Sequence, residues 1–193
     1  MATTVDTPHG PARVHLREID SPRAAIVLGH GAGGGVESPD LMGAAKAAQA
    51  GGLSVALVEQ PYRVVGRRAP APAAQLDAAW VAVVTQLFGG LPLIVGGRSL
   101  GARVACRTAD ELSAVGVVCL AFPLHPPGRP EKSRLSELDA VRLPTLVVQG
   151  ERDPFGIPPP GPNRTVITIP GTHSLRSSGA VEAVVSEWLG TFP

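Results

Sequence analysis

The stretch that most narrows what this chain can fold into is Leu91-Pro92-Leu93-Ile94-Val95-Gly96-Gly97-Arg98-Ser99-Leu100-Gly101-Ala102-Arg103. The apolar run Leu91 to Val95 predicts a buried strand. Good helix formers from Ala102 to Ala109 predict a helix. Between them, Gly97-x-Ser99-x-Gly101 must reverse the chain within a few residues, and flanking glycines remove the side chains that such a reversal would crowd. The expected unit is strand, tight turn, helix, with a serine thrust out at the carboxyl edge of a sheet. With 23 glycines in the chain, a glycine-rich strand-to-helix turn of any parallel sheet reads the same way, so the motif gains meaning only from partners elsewhere.

The rest of the chain sets the frame for those partners. Val14 to Ile19 alternates apolar and polar residues, as a half-exposed edge strand does, with His15 on the solvated face. Ala24 to Leu28 is a continuous apolar run, and Leu53 to Val58, Gly116 to Phe122 and Pro144 to Gly150 read as further strands. Strands buried on both faces by helices read this way. Ser38-Pro39-Asp40 opens a helix that ends at Gly51-Gly52, with proline suited to the first turn. Leu76, Ala79, Trp80, Val83, Val84 and Leu87 recur at helical spacing within 72–88. A short helix is expected over Ser133–Leu138, a last strand over Arg164–Ile169 and a closing helix from about Ala180 to Leu189. Residues 1–12 read as a loose lead-in. Alternating strands and helices predict one α/β domain over 1–193, a mostly parallel sheet of about seven strands with helices on both faces.

In a parallel sheet, the loops leaving the strand carboxyl ends share one edge, and ligands bind there. A serine hydroxyl is a poor nucleophile near neutral pH and needs a base oriented by an acid. Ser99 follows the fourth strand, Asp153 the sixth and His173 the seventh, so this trio can meet at one edge. His125, after the fifth strand, competes as base or lines the substrate pocket. Glu151 lies two residues from Asp153 but lacks its proline-turn context, and Asp110 and Asp139 fall away from that edge. An oxyanion needs backbone donors. The Leu100 N–H sits at a helix start, and the loop His30-Gly31-Ala32-Gly33-Gly34 offers Ala32 or Gly33. A phosphate-binding reading of that loop lacks a following G-K-[ST]. His30, His125 and Tyr62 are the expected substrate contacts, and no metal or other cofactor is expected.

Composition excludes several partner classes. Seventeen basic and sixteen acidic residues leave a net charge of +1, which gives no footprint for nucleic acid. Cys106 and Cys119 read as small core residues, in keeping with a reducing compartment. The amino terminus has no apolar signal core and no run approaches a membrane span. The expectation is a cytoplasmic protein acting on a small molecule, with neither nucleic acid nor membrane as partner.

Taken together, His30-Gly31-Ala32-Gly33-Gly34, Gly97-Arg98-Ser99-Leu100-Gly101, Phe122-Pro123-Leu124-His125-Pro126-Pro127-Gly128, Gln149-Gly150-Glu151-Arg152-Asp153 and Gly171-Thr172-His173-Ser174 resemble the α/β-hydrolase superfamily. The likeness is to its small, capless, dienelactone-hydrolase-like members. The resemblance implies Ser99 as nucleophile, His173 as base and Asp153 as its orienter. It further implies a serine hydrolase acting on small or soluble esters or thioesters through an acyl-enzyme. Two departures stand out. The amino-terminal hairpin is short against the family's usual eight strands, and dienelactone hydrolase itself uses a cysteine nucleophile. The alternative is a non-catalytic interaction protein that keeps the fold.

Overall fold

The computed structural model describes residues 2–192, so Met1 and Pro193 lie outside the described residues. The strands are β1 Ala2–Val5, β2 Ala12–Arg17, β3 Ala24–Gly29, β4 Leu53–Glu59, β5 Leu93–Arg98, β6 Gly116–Leu120, β7 Thr145–Gly150 and β8 Arg164–Ile169. The helices are α1 Pro39–Ala50, α2 Pro61–Val64, α3 Ala73–Val84, α4 Leu100–Thr108, α5 Leu135–Asp139 and α6 Ser178–Leu189. The strands form one sheet in the order β1-β2-β4-β3-β5-β6-β7-β8. The pairs β1–β2 and β2–β4 are antiparallel, and every pair from β4 to β8 is parallel.

The apolar runs are continuous because both faces of the sheet are covered. Ile26, Leu28, Leu57, Ile94, Leu120 and Leu146 face α1 and α6, where Leu41, Val181, Val185 and Trp188 complete the packing. Their neighbours Val27, Ala56, Val95, Val117 and Val147 point to the other face, against Leu76 and Trp80 of α3 and Ala102 and Val104 of α4. Each of the inner strands β3 to β7 therefore serves two cores in alternation.

The sheet has eight strands where about seven were expected. The additional strand, β1, lies inside the expected loose lead-in and pairs Ala2 with His15 and Val5 with Ala12. Its first three residues are exposed and only Val5 enters the core, so it carries almost no hydrophobic signal. The amphipathic helix expected over 72–88 stops at Val84, and a turn with Phe88 at φ 49° and Gly90 at φ 86° carries the chain into β5. His15 is partly exposed, with 33% of its side chain open to solvent, and it is also paired. Its Nε2 lies 2.6 Å from Glu59 Oε1 across the β2–β4 pair. Cys106 and Cys119 are free and buried, with sulfurs 3.5 Å apart. Among the described residues, no helix is long and apolar enough to cross a membrane.

Candidate active site

β5 ends in the turn that the glycines dictate. Ser99 sits at φ 50°, ψ −104°, a conformation that costs an ordinary residue about 1–3 kcal/mol and persists only where its surroundings enforce it. The enforcement is visible on both sides. A Cβ on Gly97 or on Gly101 would collide with the backbone of Gly29 at the end of β3. The Ser99 N–H donates to Leu120 O of the neighbouring strand at 2.9 Å.

The strained turn aims Ser99 at His173. Ser99 Oγ lies 2.9 Å from His173 Nε2, and His173 Nδ1 lies 2.8 Å from Asp153 Oδ2. A carboxylate can only accept, so Nδ1 carries the hydrogen and Nε2 presents its lone pair to the serine hydroxyl. Asp153 has no exposed side-chain surface, whereas 17% of the His173 side chain is exposed. The Phe155 ring lies 4.1 Å from the imidazole, centroid to centroid. Three loops thus bring together side chains 74 positions apart.

The Asp153 carboxylate accepts three hydrogen bonds. Oδ1 accepts the Phe155 N–H at 2.8 Å, and Oδ2 accepts the Gln149 side-chain amide at 2.7 Å besides His173. Glu151, the nearby alternative, is exposed. His125, the competing base, makes no bond to Ser99. Its Nδ1 donates to Pro126 O at 2.9 Å and its backbone N–H to Phe155 O at 3.0 Å. It stands beside Gly156 at the rim, near Phe155 and hence near His173.

His30 and Tyr62, expected as substrate contacts, both hydrogen-bond to the glycine loop. Both are buried, at 2% and 5% exposure. His30 Nδ1 donates to Gly31 O at 2.7 Å, and its Nε2 accepts the Gln60 N–H at 3.1 Å. Burial holds the His30 imidazole below its ordinary pKa, so it stays neutral. Tyr62 Oη donates to Ala32 O at 2.9 Å. Because N–H and C=O oppose each other across a trans peptide, pinning Gly31 O and Ala32 O turns the N–H groups of Ala32 and Gly33 to the opposite side. Those two amides make no backbone hydrogen bond. As the first residue of α4, Leu100 has an N–H without an intrahelical partner, at the positive end of the helix dipole.

One participant carried no signal in the sequence. Arg98, inside the turn motif, has Nε 2.8 Å from Asp40 Oδ2 and Nη2 3.3 Å from His173 O. Its Nη1 lies 2.6 Å from where a Cβ on Gly31 would be. One guanidinium therefore touches the glycine loop, the start of α1 and the backbone of His173. Among the described residues, no three His, Cys, Asp or Glu side chains come together to hold a metal ion.

The alpha/beta hydrolase domain family matches residues 22–160, which include Ser99 and Asp153 and end before His173. An alpha-beta serine hydrolase homologue from Coxiella burnetii superposes with a TM-score of 0.78 at 15% identity, covering 97% of this chain and 96% of that one. A serine hydrolase without a lid from Xanthomonas campestris gives 0.73 at 24% identity, over 100% and 96% of the two chains. Dienelactone hydrolase from Anabaena variabilis gives 0.74 at 21% identity, over 100% and 97%. At these identities the likeness is one of fold, and it extends over nearly the whole length of each partner. The mostly parallel sheet, the serine turn after β5 and, among the described residues, the absence of a cap domain agree with a sequence match over most of the chain: this protein belongs to the alpha/beta hydrolase domain family.

Proposed function

We propose that this chain is a serine hydrolase that cleaves small or soluble carboxylic esters or thioesters through an acyl-enzyme. The observation that carries the reading is the unbroken pair of hydrogen bonds from Ser99 through His173 to Asp153. As Ser99 Oγ attacks the acyl carbon, His173 Nε2 takes its proton and Asp153 stabilises the resulting imidazolium. The oxyanion settles among the N–H groups of Ala32, Gly33 and Leu100, where each well-placed donor is worth about 2.7–4 kcal/mol. His173 then returns the proton to the departing alcohol or thiol. Water attacks the acyl-enzyme by the same relay and regenerates Ser99.

With no cap to enclose a long chain, the site suits small or soluble acyl groups. The rim residues His125 and Phe155 flank the base and would meet the acyl or leaving group.

The test uses a fluorophosphonate probe and a panel of p-nitrophenyl esters and acyl thioesters of graded chain length. The wild-type protein should take up one equivalent of probe, and Ser99→Ala none. Turnover should favour short acyl chains. Labelling that survives Ser99→Ala overturns the assignment of the nucleophile. A wild-type chain that takes no probe and cleaves nothing in the panel points instead to an interaction protein built on the same fold.

A further inference from the structure

Gln149, the penultimate residue of β7, is completely buried. Its side-chain nitrogen faces three acceptors at once: Asp153 Oδ2 at 2.7 Å, Gly156 O at 3.0 Å and Phe122 O at 3.1 Å. All three can only accept, so the amide has a single allowed orientation, and flipping it would set oxygen against oxygen. The consequence is that Gln149 Oε1 is buried without a partner. An orphaned buried acceptor is costly, and native proteins tolerate few of them without a reason. Here two donor hydrogens are shared among three acceptors, and one of these is the carboxylate oxygen that also receives His173 Nδ1–H.

Resting on the Ser99–His173–Asp153 reading, we propose that Gln149 is a positioning residue. It holds the Asp153 carboxylate in place and, by donating to the same oxygen as His173, lowers the proton affinity of the Asp153–His173 pair. Each donor that satisfies Oδ2 leaves less of its negative charge to stabilise an imidazolium. Without Gln149, the buried carboxylate would be neutralised more readily by a proton on the pair, whichever of the two groups formally carries it. Gln149 thereby keeps His173 free to act as a base at lower pH. It also ties the acid loop at Gly156 to Phe122, two residues past the end of β6, so three chain segments share one amide.

Few other charges face this pair. Asp153 follows β7. Arg98 at the end of β5 donates to His173 O and is itself paired with Asp40 of α1. His125, after β6, stands beside Gly156.

The experiment follows the His173 ring by histidine-selective NMR across a pH titration, its signal assigned by its loss in His173→Gln. In Gln149→Met, which keeps the length and removes the donors, the midpoint should rise by about one pH unit, a shift within reach of one lost bond to a charged group. Gln149→Leu, a second substitution that removes the donors, should raise the midpoint likewise. Fluorophosphonate labelling of Gln149→Met should slow near neutral pH and recover at higher pH, which a damaged fold would not do. A folded variant with the wild-type midpoint overturns the proposal. Loss of the fold with both substitutions also overturns it, since Gln149 would then be a residue of the fold alone. A wild-type chain that takes no probe defeats the acyl-enzyme reading, while the His173 titration still decides the role of Gln149.

Discussion

Arg98 Nε donates to Asp40 Oδ2 at 2.8 Å, joining the turn that carries Ser99 to the first turn of α1 across 58 positions of chain. Only 1% of the Asp40 side chain is exposed, and 17% of that of Arg98. Ser38 Oγ and the Leu41 N–H donate to the other oxygen of the carboxylate. Removing one partner of such a pair strands a buried charge and costs about 3–5 kcal/mol, whereas replacing both by apolar groups can be nearly neutral. Arg98→Met should therefore lower unfolding stability by about 3 kcal/mol, and Arg98→Met with Asp40→Leu should recover much of it. Urea unfolding of the two single variants and the double variant decides the matter. Equal losses in Arg98→Met and the double variant would show that the stranded charge is not the cause.

Gly101 and Gly33 make a paired test of where the turn is crowded. A Cβ on Gly101 would strike the backbone of Gly29 and sit 3.0 Å from His30 O, whereas one on Gly33 would meet nothing within 4 Å. Gly101→Ala should cost about 1–3 kcal/mol as β3 and α4 are pushed apart. Gly33→Ala should change stability by about 0.5 kcal/mol at most. Thermal unfolding of both proteins checks the contrast, and comparable effects would refute close approach as the reason for Gly101.

The trio was legible because topology does most of the work. Once the strands are read as parallel, the loops holding Ser99, Asp153 and His173 must open on one edge, whatever the details of packing. What escaped the sequence depends on long-range pairing. No periodicity announces that Arg98 reaches Asp40, or that Gln149 in a mostly apolar strand aims its amide at Asp153. His30 and Tyr62, polar residues beside a glycine loop, read as lining a pocket. They are buried because β4 and α2 pack behind that loop, which only the strand order β2-β4-β3 reveals. The pairing of His15 went unread because its partner Glu59 belongs to a strand 44 positions away. β1 was lost because a four-residue edge strand with one buried side chain has no hydrophobic pattern to read.

His30 gives the fold a specific acid sensitivity. Burial lowers its pKa, the hydrogen bond to Gly31 O works in the opposite direction, and the smaller effects of Arg63 and Glu59 oppose each other. The folded chain thus binds this proton less readily than the unfolded chain, whose histidine titrates near 6.5. Stability from this residue is complete above that value and declines as the pH falls through it towards the lower folded value. The expected outcome is a steeper loss of stability between about pH 7 and pH 5 in the wild type than in His30→Gln. Denaturant midpoints measured across that range give the difference directly. Parallel curves for the two proteins would show that His30 is not held neutral by the fold.

Tyr62 is the single tyrosine of the chain, so absorbance at the phenolate band reports on it alone. Burial pushes its hydroxyl up to about 12 against a weaker opposing pull from Arg63. The hydroxyl therefore remains a donor to Ala32 O well beyond the pH at which a free tyrosine ionises. Stability from this group is complete below about pH 10, the unfolded value, and is lost as the pH rises towards the folded one. The phenolate band of the folded protein should appear near pH 12, or earlier with unfolding as its trigger. Tyr62→Phe removes the donor that turns the Ala32–Gly33 peptide. It should lower stability by about 1 kcal/mol and slow fluorophosphonate labelling of Ser99 roughly tenfold, less than loss of a whole oxyanion donor would. A phenolate midpoint near 10 in the folded protein, or an unchanged labelling rate in Tyr62→Phe, would show that this hydroxyl does not set the Ala32–Gly33 peptide.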